Sequence, residues 1–175
     1  ATTLVVIDEA YAEFMSAPHL HSALRLLSRH PNLIVTRTFS KAYALAGLRV
    51  GYAISSPPIV AVLERLRESF NVNGLALVAA EAALGDHAHV ERARAWNDSE
   101  REWLAARLRE KGLQVYPSQT NFVLVDFGDD AAPIERALFA RGVIVRPMGG
   151  YGLGHCLRIS VGSRGDNERL LAALP

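Results

Sequence analysis

The run Leu4-Val5-Val6-Ile7, closing on Asp8 in "TTLVVIDEAY", constrains the fold more than any other stretch. It has no polar residue at alternate positions, so both sides of the strand it predicts require cover. Strands of that kind belong inside parallel sheets, where helices pack on both faces. The pattern therefore predicts an α/β layer with this strand in its interior. A buried strand needs neighbours, and few candidates follow before the sequence turns helical. The chain also opens without an initiator methionine. It is expected to be a fragment of a longer protein.

Further along, residues 32–39 ("NLIVTRTF") and 49–54 ("RVGYAI") read as a second and a third strand, the latter stopped by the breaker "SSPP". Helical spacing follows over 58–69, then a small-residue helix in 71–85 closed by Gly85. A long amphipathic helix is expected over 87–111, with Val90, Ala93, Trp96, Trp103, Leu104 and Leu108 near one stripe and Gly112 as its stop. After Gly112 the pattern changes. Residues 113–127 predict a strand pair or one long bent strand, 131–141 a helix, and 142–148 and 156–162 short strands. A final helix spans 166–174, with Asp166 as its expected N-cap. This second part reads as a small α+β layer. The long helix reads as a connector over 86–111 between an α/β domain over 1–85 and a small domain over 112–175.

Composition narrows the partners. Nineteen basic against eighteen acidic residues leave a net charge of +1, so no bulk field points to nucleic acid or a membrane surface. No apolar run approaches the ~20 residues of a membrane span. The single cysteine, Cys156, excludes an internal disulfide framework and makes a cytosolic setting the default.

Asp8 and Lys41 carry the chemical interest, because each follows an apolar strand. In open α/β sheets, ligands sit outside the carboxyl ends of the strands. An aspartate there can hold a protonated ring nitrogen by a charge-assisted bond; it can equally cap a helix. Lys41, set between Ser40 and a small-residue turn, can act as a nucleophilic amine if partly desolvated. Otherwise it is a surface lysine opening a helix. Thr38, Ser40 and Arg49 offer hydroxyls and a fork-shaped cation, a natural phosphate cradle. The pairs His19/His21 and His87/His89 lack a third ligand nearby, read as solvated, and give no reason to expect a metal. Trp96 and Trp103 read as core or interface.

Four stretches, "DEAY" (8–11), "TFSKAYALAGLRVGY" (38–52), "TNFVL" (120–124) and "LRISVG" (157–162), together resemble landmarks of the fold-type-I pyridoxal-phosphate aminotransferases. The resemblance is closest to the histidinol-phosphate aminotransferases. It implies that Lys41 forms the Schiff base with pyridoxal phosphate, that Asp8 pairs with the pyridine nitrogen, and that Tyr11 bonds the phenolic oxygen. Thr38, Ser40 and Arg49 would contact the phosphate. Arg158, and Arg146 in "VIVRPM", resemble arginines that grip the substrate's anionic end; Arg146 equally reads as the partner of a surface carboxylate. Asn121 would line the site, or serve only a turn. The implied activity moves an amino group between glutamate and imidazole-acetol phosphate in histidine biosynthesis, in a cytoplasmic homodimer. A threonine-phosphate decarboxylase or an aromatic aminotransferase shares these landmarks. So would a catalytically incomplete remnant that only binds or self-associates. Several pocket features of full-length relatives cannot be placed here: an aromatic stacked on the cofactor, a phosphate-binding helix N-terminus, an asparagine near the phenolic oxygen, and a tyrosine from the partner subunit.

Overall fold

The computed structural model describes residues 3–16 and 21–175, which leaves His19 outside the described residues. The chain divides into two compact units, Ala1–Arg94 and Ala95–Pro175. In the first, β1 (Val5–Asp8) runs parallel to β2 (Leu33–Thr38), and β3 (Gly51–Ser55) lies antiparallel on β2's other side. The sheet order is β1-β2-β3. The central strand is thus β2, and its Leu33, Ile34 and Val35 are buried.

β1 departs from expectation. All four of its residues are exposed, Val6 at 59%. The reason is its position: among the described residues it pairs only with β2, and Val5 and Ile7 flank an open groove of about 240 Å³ also lined by Ala23, Leu26 and Leu33. An apolar run states what a strand requires, and not what covers it.

Two helices complete the unit. α1 (Pro57–Leu66) starts where a stop was expected, because Pro57 and Pro58 occupy its first turn behind Ser56. Proline fits there: its missing N–H has no intrahelical acceptor to lose. α2 (Gly74–Gly85) is capped by the Asn73 side chain, which accepts from the Leu75 N–H. Only Ala76 and Ala80 of α2 are buried, against Phe39 and Val50.

α3 (His87–Glu110) carries the chain across into the second unit. There β4 (Gln114–Val115), β5 (Phe122–Asp126), β6 (Arg146–Pro147) and β7 (Cys156–Ser160) form an antiparallel sheet in the order β4-β5-β7-β6. The strand pair, rather than one bent strand, is what residues 113–127 form. β6 is shorter than the apolar pattern over 142–148 suggested. On one sheet face Val123, Val125, Leu157 and Ile159 meet Leu104 and Leu108 of α3, Leu138 of α4 (Ala132–Ala140) and Leu170 of α5 (Arg164–Ala173). Each such side chain contributes roughly 1.5–3 kcal/mol when fully buried. α5 starts two residues earlier than expected. Ser163 is its N-cap, and Asp166 sits at the third helical position, completing a capping box.

The buried face of α3 also differs from the apolar stripe. It includes Asn97, Glu100 and Arg101, while Trp96 is half exposed. Most of their polar atoms find partners in place, although Asn97 Oδ1 is a buried acceptor without one among the described residues. Asn97 Nδ2 and Arg101 both donate to the Thr120 carbonyl at 3.2 Å, and Glu100 accepts from Arg164 (2.9 and 3.0 Å) and Asn167. Hydrogen bonds from Arg164 hold the Glu100 carboxyl below the usual range, against the opposing effect of burial. Trp103 packs against the core and carries the Arg164 guanidinium 4.1 Å over its ring.

Candidate active site

The carboxyl ends of β1 and β2 lie on one edge of the first sheet, since the two strands are parallel and Asp8 registers with Thr36. Asp8 ends β1 and Thr38 ends β2. Asp8 does not cap a helix. Its Oδ1 accepts the Ala10 N–H at 3.0 Å, which turns the chain so that Tyr11 follows at the same edge. Lys41 lies just beyond β2, exposed, with its Nζ 5.5 Å from the centroid of the Tyr11 ring. The side chains of Asp8's turn and of Lys41 are therefore gathered at one sheet edge.

The lysine's turn is fixed by its neighbours. Phe39 is buried against Tyr43 and Tyr52, at centroid distances of 4.9 and 5.6 Å. Ala42 is buried as well, so the segment is pinned on both sides of the exposed Lys41. Thr38 Oγ1 accepts the Ser40 N–H at 3.1 Å. Arg49 takes a left-handed backbone (φ 54°) and donates to the Ala46 carbonyl at 2.7 Å and to Ser40 Oγ at 3.4 Å. Thr38, Ser40 and Arg49 thus form one connected group beside Lys41. Gly51, opposite Thr38, is required there: a Cβ would lie 2.8 Å from the Arg37 carbonyl oxygen.

Two supports were not foreseen. His89 of α3 is not merely solvated, because its Nε2 lies 3.1 Å from the Ala42 carbonyl. A carbonyl only accepts, so that nitrogen carries the proton. Glu9, next to Asp8, accepts from Arg37 Nη2 (2.7 Å), Ser22 Oγ (2.9 Å) and the Ala23 N–H (2.6 Å), and Arg37 also reaches Glu13 at 3.3 Å. Burial pushes the Glu9 carboxyl up, but the bonds from Arg37, Ala23 and Ser22 outweigh it and hold it below the usual range. Burial pushes Glu13 up. The signal in the sequence was Arg37 itself, a cation inside an apolar strand.

In the second unit, Arg146 and Arg158 are direct cross-strand partners of β6 and β7. Residues so paired stand on one face with Cβ atoms about 4.5–5.5 Å apart, and like charges there are destabilising. Neither arginine has an acidic partner within 4.0 Å among the described residues. The alternative of a surface ion pair for Arg146 is therefore unsupported. Arg158 is half-buried, its guanidinium 4.8 Å from the Phe122 ring. Asn121 precedes β5; its carbonyl accepts the Val161 N–H at 2.9 Å, tying it to the end of β7. Two guanidiniums at paired cross-strand positions, with no carboxylate within 4.0 Å among the described residues, have the chemistry to meet a multiply charged anion.

Comparison with known proteins gives the family. Residues 1–174 match the family model for aminotransferase class I and II. This chain belongs to that family. It is 51% identical to histidinol-phosphate aminotransferase 2 of Pseudomonas aeruginosa over 99% of its own length and 47% of the relative's. Against the histidinol-phosphate aminotransferase of Anaeromyxobacter sp. it is 50% identical, covering 98% of this chain and 48% of that protein. The crystal structure of histidinol-phosphate aminotransferase from Sinorhizobium meliloti in complex with pyridoxal-5'-phosphate superposes with a TM-score of 0.90 at 36% identity, over 99% of this chain and 48% of the other. The chain thus spans about half the length of the aminotransferases it matches, and its mixed α/β fold is theirs.

Proposed function

We propose that this chain is the carboxyl-terminal portion of a pyridoxal-phosphate-dependent histidinol-phosphate aminotransferase. The reaction takes glutamate and imidazole-acetol phosphate to 2-oxoglutarate and histidinol phosphate. The observation that carries the reading is the gathering of Asp8, Tyr11 and Lys41 at one sheet edge, with the lysine amine against the tyrosine ring. Residues 1–85 are read as the end of the large domain, 86–111 as a connector and 112–175 as the small domain. The relatives' names support a place in histidine biosynthesis. A cytoplasmic homodimer is the setting we propose; the single cysteine and the exposed apolar residues of the first unit support it.

The donor set fits the cofactor: an anion, a phenol, a primary amine, hydroxyls and a guanidinium are what a pyridine ring, a phenolate, an aldehyde and a phosphate require. When bound, pyridoxal phosphate supplies the electron sink that lets the substrate's Cα lose its proton. Asp8 would keep the ring nitrogen protonated, since a neighbouring anion favours the charged form. Tyr11 would donate to the phenolic oxygen. Thr38, Ser40 and Arg49 would hold the phosphate. Lys41 would supply the amine that holds the cofactor's aldehyde and the base that moves a proton at the substrate's Cα. Arg146 and Arg158 bind the anionic end of the substrate, and Asn121 assists them.

The test is Lys41→Ala in the aminotransferase that contains this chain. Turnover is expected to fall on the order of 1,000-fold or more while the melting temperature stays unchanged. Near-normal amino transfer by the variant would overturn the reading.

A further inference from the structure

The face of the second sheet opposite its core carries, besides Arg158, a group the proposed reaction does not use. Asp126 of β5 and Cys156 of β7 are direct cross-strand partners, and His155 precedes Cys156. One ligand atom from each of Asp126, His155 and Cys156 lies within 4.8 Å of the others. His155 Nε2 and Asp126 Oδ2 are 3.7 Å apart. We propose that these three residues form a site for a divalent cation of the zinc class.

The donors decide the class. Thiolate, imidazole and carboxylate together suit zinc-like ions of borderline softness, whereas magnesium and calcium take oxygen alone. With bonds of about 2.0–2.3 Å, ligand atoms around a tetrahedral ion stand roughly 3.3–3.8 Å apart. The histidine–carboxylate separation is already there. The sulfur lies within 4.8 Å of both and needs to close by about 1 Å, and the half-exposed His155 ring has room to make its share. Coordination sends the Cys156 thiol proton to water.

The surroundings hold the ligands in place as a metal site requires. Asp126 Oδ1 accepts the Gly128 N–H at 2.8 Å, and the Tyr116 hydroxyl donates to Oδ2 at 3.3 Å. The His155 carbonyl accepts the Phe127 N–H, which locks its backbone to the end of β5. Such outer partners orient ligands and raise affinity. Cys156 is 1% exposed, so the sulfur is shielded from competing oxidants while the histidine side stays open to an entering ion.

Cysteine occurs once in the chain, so a thiolate signal has a single source. Chelator-treated chain is titrated with cobalt(II) and followed in the near ultraviolet, where a thiolate-to-cobalt band reports sulfur ligation. The expected result is a saturable band that zinc(II) bleaches, that is lost in Cys156→Ser, and whose cobalt affinity falls by about tenfold or more in His155→Ala. His155 is partly exposed, so that variant keeps the fold whatever the serine variant does. No band in the parent chain, or an unchanged affinity in His155→Ala, would overturn the proposal.

Discussion

The two units differ in how they treat their apolar residues. The second closes a core between one sheet face and the helices α3, α4 and α5, with Leu104, Leu108, Leu138 and Leu157 at 0% exposure. The first leaves Val6 of β1, Leu66 of α1 and Leu75 and Val78 of α2 largely exposed, and its buried clusters are small. The placement of the candidate site follows from this. In the first unit, hydrogen bonds and a few aromatic contacts hold the residues around Lys41. The arginine pair of the second unit rides on strands whose other face is a packed core. One lysine falls in each unit, Lys41 in the first and Lys111 in the second. Only the first has Tyr11, Thr38 and Ser40 around it.

Core truncation is the strongest way to break this comparison. Leu104→Ala or Leu108→Ala is expected to cost about 2–5 kcal/mol. Leu66→Ala and Leu75→Ala, at sites 75% and 77% exposed, should stay within about 0.5 kcal/mol. Urea unfolding of the four variants checks this. Equal losses in both units would mean that the first unit's apolar residues are covered in solution.

Glu100 offers a smaller and sharper probe. Glu100→Gln leaves Arg164 and Asn167 with a weaker acceptor, an expected loss of about 1–3 kcal/mol confined to the second unit. The sign with pH follows. The carboxyls of Glu100 and Asp166 are both held below their usual range, chiefly by hydrogen bonds from Arg164 and Ser163. Their stabilisation is complete above the unfolded-state pKa values of about 4 and is lost as pH falls through the lower folded values. In the first unit Glu13 is raised, so its contribution improves on acidification and offsets that of Glu9. Acid unfolding followed by tryptophan fluorescence should therefore depend less steeply on pH in Glu100→Gln.

Much of this was legible in the sequence, and the remainder has identifiable causes. β2, α4 and β7 have the apolar spacing of their kind, α2 is marked by its small residues and closing Gly85, and Asp8 and Lys41 stand out by their place beside apolar strands, Arg146 and Arg158 by resemblance. Register is not written in spacing, which is why the facing of Arg146 with Arg158 and of Asp126 with Cys156 emerged only from the paired strands. Buried polar residues mislead in the other direction. Asn97, Glu100 and Arg101 look like a solvated helix face, yet partners from β5's approach and from α5 draw them inside. His89 gave no sequence signal beyond its neighbour His87. His89→Ala is expected to cost only about 0.5–1.5 kcal/mol, while loosening the turn after Lys41. Hydrogen exchange at Ala44, whose N–H bonds the Lys41 carbonyl, would register that loosening.

Reductive trapping tests the central claim most directly. The chain is mixed with limiting pyridoxal phosphate, reduced with borohydride, and mapped by peptide mass spectrometry. Lys41 and Lys111 are both exposed, so solvent access alone would label them alike. The pyridoxyl group is expected on Lys41, with Lys111 nearly unmodified. Equal labelling, or a preference for Lys111, would contradict it.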